Sequence, residues 1–411
     1  MMSSKTPPPR PLFSLGLGLV LTFALVACAP SALGSSGSVT LITNLPDEAL
    51  VATAAKQPGL KFKLATATES WERQLAAGKG APDLVLLDWD NRLAEAGAAG
   101  LVADLSRYWK RLAAPKGIGK SLASSVESPD GKTSFFLPSS FYPWGLFYNV
   151  ELLKKTGLAL PTTMEEFEAA LPKLAAKGLT PIALGASYGW PALAWLSILD
   201  IRLNGIEAQR SLAEGRRRFD DKGLLEVYAT LQRWRDAGYF GPGAASRNWE
   251  DSFAAVEKGQ AAFVYLGASA LSRYARASAL GFVAVPPGRG EGSRGELAVI
   301  HGFALSAHAV SSEAALALAD AYVVAGAPGQ TADSWTLAAS VGSVKAGELG
   351  DLKAAESRIA EGAGAFLPQL DWALPAAASY EARSVMKSFF EKGSRMDAKG
   401  LAAALVKAVG K

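Results

Sequence analysis

The alternation of strand and helix patterns over residues 38–112 constrains the fold more than any other feature of the chain. Three segments are predicted to be strands because they are β-branched, alternating or continuously apolar: SVTLIT (38–43), LKFKLAT (60–66) and DLVLLD (83–88). Helical patterns at residues 47–59 and 70–80 separate these strands, and each ends at glycine. This order predicts an α/β fold with a parallel sheet that carries helices on both faces.

Polar and aromatic residues follow the ends of the three predicted strands. In open α/β sheets, ligands bind beyond the carboxyl ends of the strands. Each residue alone has a simpler explanation, which is packing for a tryptophan and helix capping for Asp88 and Asp90. Their shared position nevertheless predicts one rim of a binding site formed by Asn44, Asp47, Trp71, Asp88, Trp89 and Asp90.

The N-terminal segment contains the only cysteine, Cys28, which therefore has no partner for an internal disulfide. Lys5 and Arg10 precede a mostly apolar run at residues 11–27, a pattern typical of a signal peptide. The tetrapeptide at residues 25–28, Leu-Val-Ala-Cys, resembles the lipobox of bacterial lipoproteins. That resemblance implies cleavage after residue 27 and a membrane anchor of acyl chains on Cys28. The alternative is an ordinary signal peptide with an incidental cysteine.

Composition excludes several other classes of protein. A net charge of +4 with 19% charged residues gives no reason to expect nucleic acid binding. Residues 28–37 are predicted to be a flexible tether. One cysteine with His301 and His308 cannot supply the roughly four ligands of a structural zinc site. No nucleophile elbow, HExxH motif or Walker loop occurs. His301 is therefore predicted to be a hydrogen-bonded structural residue, and no cofactor or metal is expected.

The stretch SFYPWGLFYNVELLKKTGLALPTTMEEFEAALPKLAAKGLTPIALG, residues 140–185, resembles bacterial extracellular solute-binding proteins of the sugar-binding family, similar to maltose-binding proteins. The residues that carry the resemblance are Gly145, Tyr148-Asn149, Gly157-Leu158, Pro161, Thr163 and Glu165-Glu166-Phe167. Thr163 and Glu166 form a candidate capping box, as do Thr162 and Glu165. The resemblance extends over roughly residues 38–408. One departure is Gly267-Ala268-Ser269, where the family often has a sugar-stacking tryptophan.

The resemblance implies a two-lobed periplasmic-binding-protein fold of type II, in which each lobe is a sheet flanked by helices. The chain would cross between the lobes three times, near residues 138–143, 285–292 and 342–345. Lobe one would comprise residues 38–138 plus 290–340, and lobe two residues 142–285 plus 345–411. The ligand would occupy the cleft between them.

A sugar offers apolar ring faces and a rim of hydroxyl groups, so its site needs flat aromatic side chains with hydrogen-bonding groups around them. The expected cleft loops contain further candidates beyond the six strand-end residues: Tyr142, Trp144, Tyr188, Trp190, Asn248, Trp249, Trp335 and Trp372. Three other tryptophans lie within helical patterns and are predicted to belong to the core: Trp109, Trp195 and Trp234.

These patterns together predict a lipid-anchored, monomeric binding protein that delivers a carbohydrate to the membrane subunits of an ABC transporter and has no catalytic residues. Two alternatives stay open. The solute could be a polyamine or a phosphorylated polyol. The chain could also be a surface glycan-processing enzyme, since Asp88 and Asp90 offer a pair of carboxylates of the kind that glycosidases use.

Overall fold

The computed structural model describes residues 37–44, 48–68, 70–78, 80–109, 111–112, 118–127, 133–273, 280–289, 291–325, 337–339 and 351–410. Several predictions lie outside the described residues: the signal peptide and tether with Cys28, the crossing near residues 342–345, and the candidate ligand residues Asp47 and Trp335.

Ten strands occur within these ranges, and they join into one network in the order β2-β1-β3-β8-β4-β6-β5, with β7 and β9 paired to β4 and β10 paired to β8. The strands are β1 (Gly37–Thr43), β2 (Leu60–Thr66), β3 (Leu84–Asp88), β4 (Leu137–Asn149), β5 (Thr180–Ile182), β6 (Ala261–Gly267), β7 (Leu280–Val283), β8 (Gly295–Leu305), β9 (Leu337–Ala338) and β10 (Ala365–Leu367).

The helices flank this network. In the described ranges they are α1 (Glu48–Ala55), α2 (Trp71–Leu75), α3 (Asn91–Ala98), α4 (Ser106–Trp109), α5 (Lys120–Ala123), α6 (Val150–Thr156), α7 (Met164–Ala175), α8 (Trp190–Asn204), α9 (Ile206–Ala213), α10 (Lys222–Asp236), α11 (Trp249–Glu257), α12 (Glu313–Val324), α13 (Asp351–Gly362), α14 (Leu370–Ala373), α15 (Ala376–Phe389) and α16 (Ala398–Val409).

The sheet is mixed, which corrects the prediction of a parallel sheet. β1 pairs in parallel with β2 and β3, as the alternating pattern predicted. However, β8 pairs antiparallel to β3, and β4 pairs antiparallel to β8. The reason is connectivity: β8 comes from a part of the chain more than 200 residues after β3, so the local strand-helix alternation carries no information about its direction.

Strand β4 connects two hydrophobic cores. Its first half pairs with β8, and Phe141 packs in a core formed with β1 and β3, called here the first core. Its second half pairs with β6, and Trp144 and Leu146 pack in a core built around α8, called here the second core. Strand β8 makes the same change in the opposite direction between Leu297 and Ala298. Two strands thus run from one core to the other.

Helix α7 shows how the sequence specifies local structure. The Thr163 hydroxyl caps the helix by accepting a hydrogen bond from the Glu166 amide at 3.1 Å. Glu166 Oε2 in turn accepts from the Thr162 amide at 2.8 Å. Phe167, Leu171 and Leu174 share one fully buried face, as their spacing predicts.

The tryptophans predicted to be structural lie in or against the cores. Trp195 and Trp234 are buried in the second core, which confirms the prediction for these two, and Trp109 is half-buried against the first core. Of the helices in the described ranges, none combines the length and hydrophobicity that crossing a bilayer requires.

Candidate functional site

The structure contains two adjoining cavities, called chambers here, whose lining residues come from elements of both cores. One has a volume of about 390 Å³ and is lined by five aromatic side chains among other residues, and it is called here the aromatic chamber. The other has a volume of about 880 Å³ and a mixed lining that includes three carboxylates and two guanidinium groups, and it is called the polar chamber. Asp371, Trp372 and Arg383 line both chambers and therefore mark the junction between them.

The aromatic chamber brings together five of the candidate ligand residues: Tyr142, Trp144, Trp190, Trp249 and Trp372. The ring centroids of Trp144 and Trp190 are 5.8 Å apart with an edge-on geometry, and those of Trp190 and Trp249 are 6.5 Å apart. Trp144 is only 5% exposed, whereas the other four are half-buried. The chamber thus has walls of ring surface that a ligand can contact.

Local geometry positions these rings. Tyr142 and Trp144 are two residues apart on β4, so their side chains leave the same face of the strand. Trp190 begins α8 immediately after Gly189, where a Cβ atom would lie only 2.1 Å from the Arg383 carbonyl oxygen. Glycine with its positive φ of 75° lets this turn approach α15 closely. The main-chain oxygen of Trp190 also accepts a hydrogen bond from Gln369 Nε2 at 3.0 Å.

The polar chamber gathers the strand ends. Thr43, the last residue of β1, pairs with Leu86 of β3, so the residues that follow both strands reach the same edge of the sheet. Four of the predicted ligand residues line this chamber: Asn44, Trp71, Asp88 and Asp90. Its lining also includes Thr68, Arg92, Ser379 and Tyr380. Trp71 is only 3% exposed and packs in the first core.

Asp90 presents one unused carboxylate oxygen. Its Oδ2 accepts a hydrogen bond from Arg92 Nε at 2.9 Å, while Oδ1 is buried and has no hydrogen-bond partner in the described part of the chain. Burial raises the pKa of Asp90, and the Arg92 charge opposes that change. A buried acceptor without a partner is costly to the folded protein.

Asp371 repeats this arrangement at the junction. Its Oδ2 accepts from Arg383 Nη2 at 2.6 Å and from Nε at 3.0 Å, and its Oδ1 is buried without a partner among the described residues. Burial raises the pKa of Asp371 to about 6, against the opposing effect of the Arg383 charge. The indole nitrogens of Trp71 and Trp144 are buried donors that likewise meet no acceptor in the described ranges.

His301 and Asp88 connect β8 to the end of β3 through a hydrogen bond between the imidazole Nδ1 and a carboxylate oxygen. This agrees with the prediction that His301 is a hydrogen-bonded residue. The Tyr142 ring lies 5.7 Å from the His301 ring. Burial raises the pKa of the Tyr142 hydroxyl to about 12, although its hydrogen bond with Ser269 acts in the opposite direction. Tyr142 therefore stays protonated and can donate a hydrogen bond at neutral pH.

Three predicted residues lie apart from both chambers. Trp89 packs against Phe136, with ring centroids 5.5 Å apart, and lines a third cavity of about 450 Å³, which shares Asp90 with the polar chamber. Tyr188 is 62% exposed and lines neither chamber. The Asn248 side chain caps α11 by accepting from the Asp251 amide at 2.7 Å.

The structure adds residues that sequence reasoning missed. Asp371, Arg383, Gln369 and Tyr380 come from the C-terminal helices, which resembled packing elements in the sequence. The available signal was the position of Asp371 directly before the candidate Trp372. Across the described residues, no cluster of three or more His, Cys, Asp and Glu side chains could hold a metal ion.

Comparisons with solved structures show a common fold. The bacterial solute receptor AcbH, described by an exclusive preference for β-D-galactopyranose, is 21% identical, with a TM-score of 0.77 over 92% of this chain and 97% of that one. A probable secreted solute-binding lipoprotein from Streptomyces coelicolor is 19% identical, with a TM-score of 0.78 over 91% and 98% of the two chains. This similarity confirms the predicted two-lobed α/β fold of type II.

Curated relatives match shorter regions. The α-glucosides-binding periplasmic protein AglE of Rhizobium meliloti is 27% identical over 215 residues, which are 47% of this chain and 46% of that protein. An uncharacterized ABC transporter extracellular-binding protein of Pyrococcus horikoshii is 27% identical over 124 residues, 30% of this chain and 28% of that one. The chain thus spans less than half the length of either relative. The family model described as bacterial extracellular solute-binding protein matches residues 43–327, well over half of the sequence. The chain therefore belongs to the bacterial extracellular solute-binding protein family.

Proposed function

We propose that this protein is anchored outside the cytoplasm by a lipid on Cys28, captures a carbohydrate between its lobes and delivers it to an ABC transporter. The membrane subunits of the importer would be its partners, and the protein would act as a monomer without a cofactor. The lobes would be residues 38–138 plus 290–340 and residues 142–285 plus 345–411. The site would be the aromatic and polar chambers together.

The observation that carries this proposal is that aromatic side chains and polar side chains line two adjoining chambers. The aromatic chamber is lined by Trp190, Trp249 and Trp372, and the polar chamber by polar residues that include Asn44, Thr68 and Asp88. A sugar hydroxyl group both donates and accepts, so it can pair with either kind of polar group. Each good hydrogen bond contributes about 1 kcal/mol net, and a micromolar complex needs about 8 kcal/mol.

Aromatic contacts supply the second part of that binding energy. The apolar faces of a sugar ring fit flat against indole rings, and each few tens of Å² of apolar surface covered contributes about 1 kcal/mol. Trp190, Trp249 and Trp372 are half-buried and line the aromatic chamber, so parts of their surfaces are available to a ligand. Relatives described as binding galactopyranose, chitin oligosaccharides or α-glucosides support a carbohydrate as the solute.

A polyamine is the second candidate because the polar chamber has three carboxylates, Asp88, Asp90 and Asp371. Its ammonium groups would have to compete with Arg92 and Arg383, which already bind two of them. A phosphorylated polyol fits less well, since the same pairing leaves neither arginine dedicated to a phosphate. Neutral hydroxyl groups can hydrogen-bond to the polar groups of this lining without adding charge.

The test is isothermal titration calorimetry of the purified full-length protein with neutral sugars, sugar phosphates and polyamines. We expect saturable binding of a neutral sugar at about micromolar Kd, and chromatography of the recovered sugar should find it unchanged. Binding of a polyamine alone would favour the second candidate. Hydrolysed sugar would favour a glycan-processing enzyme instead.

A further inference from the structure

The third cavity lies on the other side of strand β4 from the aromatic chamber. Tyr142 and Trp144 of β4 line the aromatic chamber, whereas the neighbouring Phe141 packs against Phe366 with ring centroids 5.1 Å apart. Phe366 in turn lines the third cavity. Because successive side chains of a strand point to opposite faces, β4 separates the two spaces. Among the described residues they share no lining residue, and the third cavity shares only Asp90 with the polar chamber.

Both cores supply walls of the third cavity. Trp89 and Ala94 line it on the side of the first core. Arg210 and Ala213 line it from α9, which packs on the second core. Strand β10 runs along the cavity, with one lining residue in each core. A molecule in this cavity would therefore contact both sides of the protein, and it would favour the arrangement of the cores in which it makes the most contacts.

The walls of the third cavity offer apolar surface to a ligand. Trp89 and Phe135 are half-buried, so parts of their rings are accessible, and Phe366, Leu367 and Pro368 continue the apolar lining. The volume of about 450 Å³ lies within the range of small-molecule sites, which is about 300–1,000 Å³. Such sites combine apolar walls with a few polar groups. The cavity is thus suited to a molecule that carries an aromatic ring or an aliphatic body of similar size.

Glu127 gives the third cavity a negative charge that no described residue balances. The other charged side chains of its described lining form ion pairs: Asp90 with Arg92, Arg210 with Glu207, and Glu214 with Arg216. Glu127 is exposed and forms no ion pair with a described residue. An ammonium group would gain from pairing with Glu127, and aromatic ring faces such as that of Trp89 also attract cations. A carboxylate group in the same place would be repelled.

We propose that the third cavity is a second binding site, which takes a small organic cation with an apolar body and whose occupation strengthens sugar binding. Because β4 runs between the two sites, bending that brings the walls of the chambers together moves the walls of the third cavity apart. A cation that fills the wider cavity stabilises the closed protein, and the sugar must then strengthen cation binding by the same factor. The site rests on its own lining, whereas its coupling to sugar rests on the proposed carbohydrate-binding function.

Calorimetry of the full-length protein at pH 7 with phenethylamine, 2-phenylethanol and 3-phenylpropionate tests the class of ligand, since the three probes share a phenyl ring and differ in charge. We expect phenethylamine to bind about tenfold more tightly than 2-phenylethanol, the order of one charge-assisted contact, and phenylpropionate to bind most weakly. Saturating sugar should lower the Kd of phenethylamine about fivefold, a typical coupling between sites. Equal affinity for the three probes would overturn the cation assignment, and competition between phenethylamine and sugar would place the amine in the chambers instead.

Two variants locate the amine. Glu127→Gln removes charge but little volume, so it should weaken phenethylamine binding about tenfold and leave 2-phenylethanol within about twofold. Ala213→Leu fills part of the cavity from α9 and should weaken binding of both probes. Glu226→Gln is the matched control, because Glu226 is an exposed glutamate that lines none of the three cavities. Unchanged phenethylamine affinity in Glu127→Gln would overturn the site. If no sugar binds, the proposed function fails, while these amine measurements still decide whether the third cavity is a binding site.

Discussion

Arg202 Nη2 donates a hydrogen bond to the buried Oε1 of Glu296 at 2.6 Å. Arg202 also donates to four backbone carbonyls within residues 285–295. These bonds fasten the segment before and at the start of β8 to helix α8 of the second core. The change to the first core follows directly, between Leu297 and Ala298. We therefore expect bending between the cores to occur after Glu296 and not within the fastened segment.

The first prediction concerns the pH dependence of stability. Burial raises the pKa of Glu296 from 4.5 to about 7, although Arg202 favours its charged form. Between pH 4.5 and 7 the folded protein holds a proton on Glu296 that the unfolded chain releases. The free energy of unfolding should therefore fall across this range as pH rises, by on the order of 1–3 kcal/mol from this group.

Urea denaturation of the wild type and Glu296→Gln from pH 4.5 to 8 measures this contribution. The amide keeps an acceptor for Arg202 but does not titrate, so the variant should have a flatter dependence. Taking the difference between the two proteins removes the effect of other carboxylates such as Asp371. Parallel curves for the two proteins would show that Glu296 has the same pKa in the folded and unfolded states.

The second prediction separates the ligand tryptophans from the structural ones. Trp190→Ala should weaken sugar binding by roughly 1–3 kcal/mol, the order for losing a large aromatic contact, with a small change in the Tm of the ligand-free protein. Trp89→Ala is the comparison, because Trp89 packs on Phe136 and lines a different cavity. Calorimetry and thermal unfolding would measure both. A large affinity loss in Trp89→Ala with none in Trp190→Ala would contradict this division.

Local pattern predicted the first strands and helices well because their signals lie within a few residues. The strand predicted at residues 60–66 has the bounds of β2, and the continuous apolar run at Leu84–Leu87 is buried along its whole length. The direction of β8 could not be obtained this way. Its pairing with β3 joins Asp88 to His301 across more than 200 residues of chain, and no local period encodes such a register.

The site was predicted by position, and position alone does not give side-chain direction. Asp88, Trp89 and Asp90 follow one another at the end of β3, and successive side chains of extended chain alternate in direction. Asp88 lines the polar chamber and Trp89 lines the cavity of about 450 Å³, whereas Asp90 lines both. Arg383 was missed for a different reason, since it reaches the chamber only through the packing of α15 against the turn at Gly189.

The third prediction concerns the anchor, which rests on residues 25–28 of the sequence. Cys28→Ser removes the thiol that lipidation requires and should release the protein from the membrane fraction. Two acyl chains give stable anchoring, whereas one gives only marginal binding. Labelling cells with a radioactive or clickable fatty acid measures the modification directly, with the wild type as control. A parent protein that takes up no label would show that Cys28 is incidental.

The last prediction concerns closure. A ligand can shift the protein toward a closed state only if it makes more contacts there than in the open state. The contacts available on the two sides differ: Asp90 follows β3 of the first core, and Trp190 begins α8 of the second. Between the cores the chain runs through β4 near Phe141–Trp144 and through β8 near Leu297, so few backbone segments need to bend.

A saturating cognate sugar should therefore reduce the radius of gyration measured by solution X-ray scattering, while the sugar is recovered unchanged. Asp90→Ala removes a first-core contact and should weaken closure more than initial capture, because Trp190 still binds the ligand on its own side. The scattering curve of this variant with saturating sugar should then lie nearer to that of the empty protein. Trp89→Ala, with its ring outside both chambers, should close as the wild type does. An unchanged scattering curve for the wild type would mean that ligand capture does not draw the two cores together, and the transport-receptor mechanism would lose its physical basis.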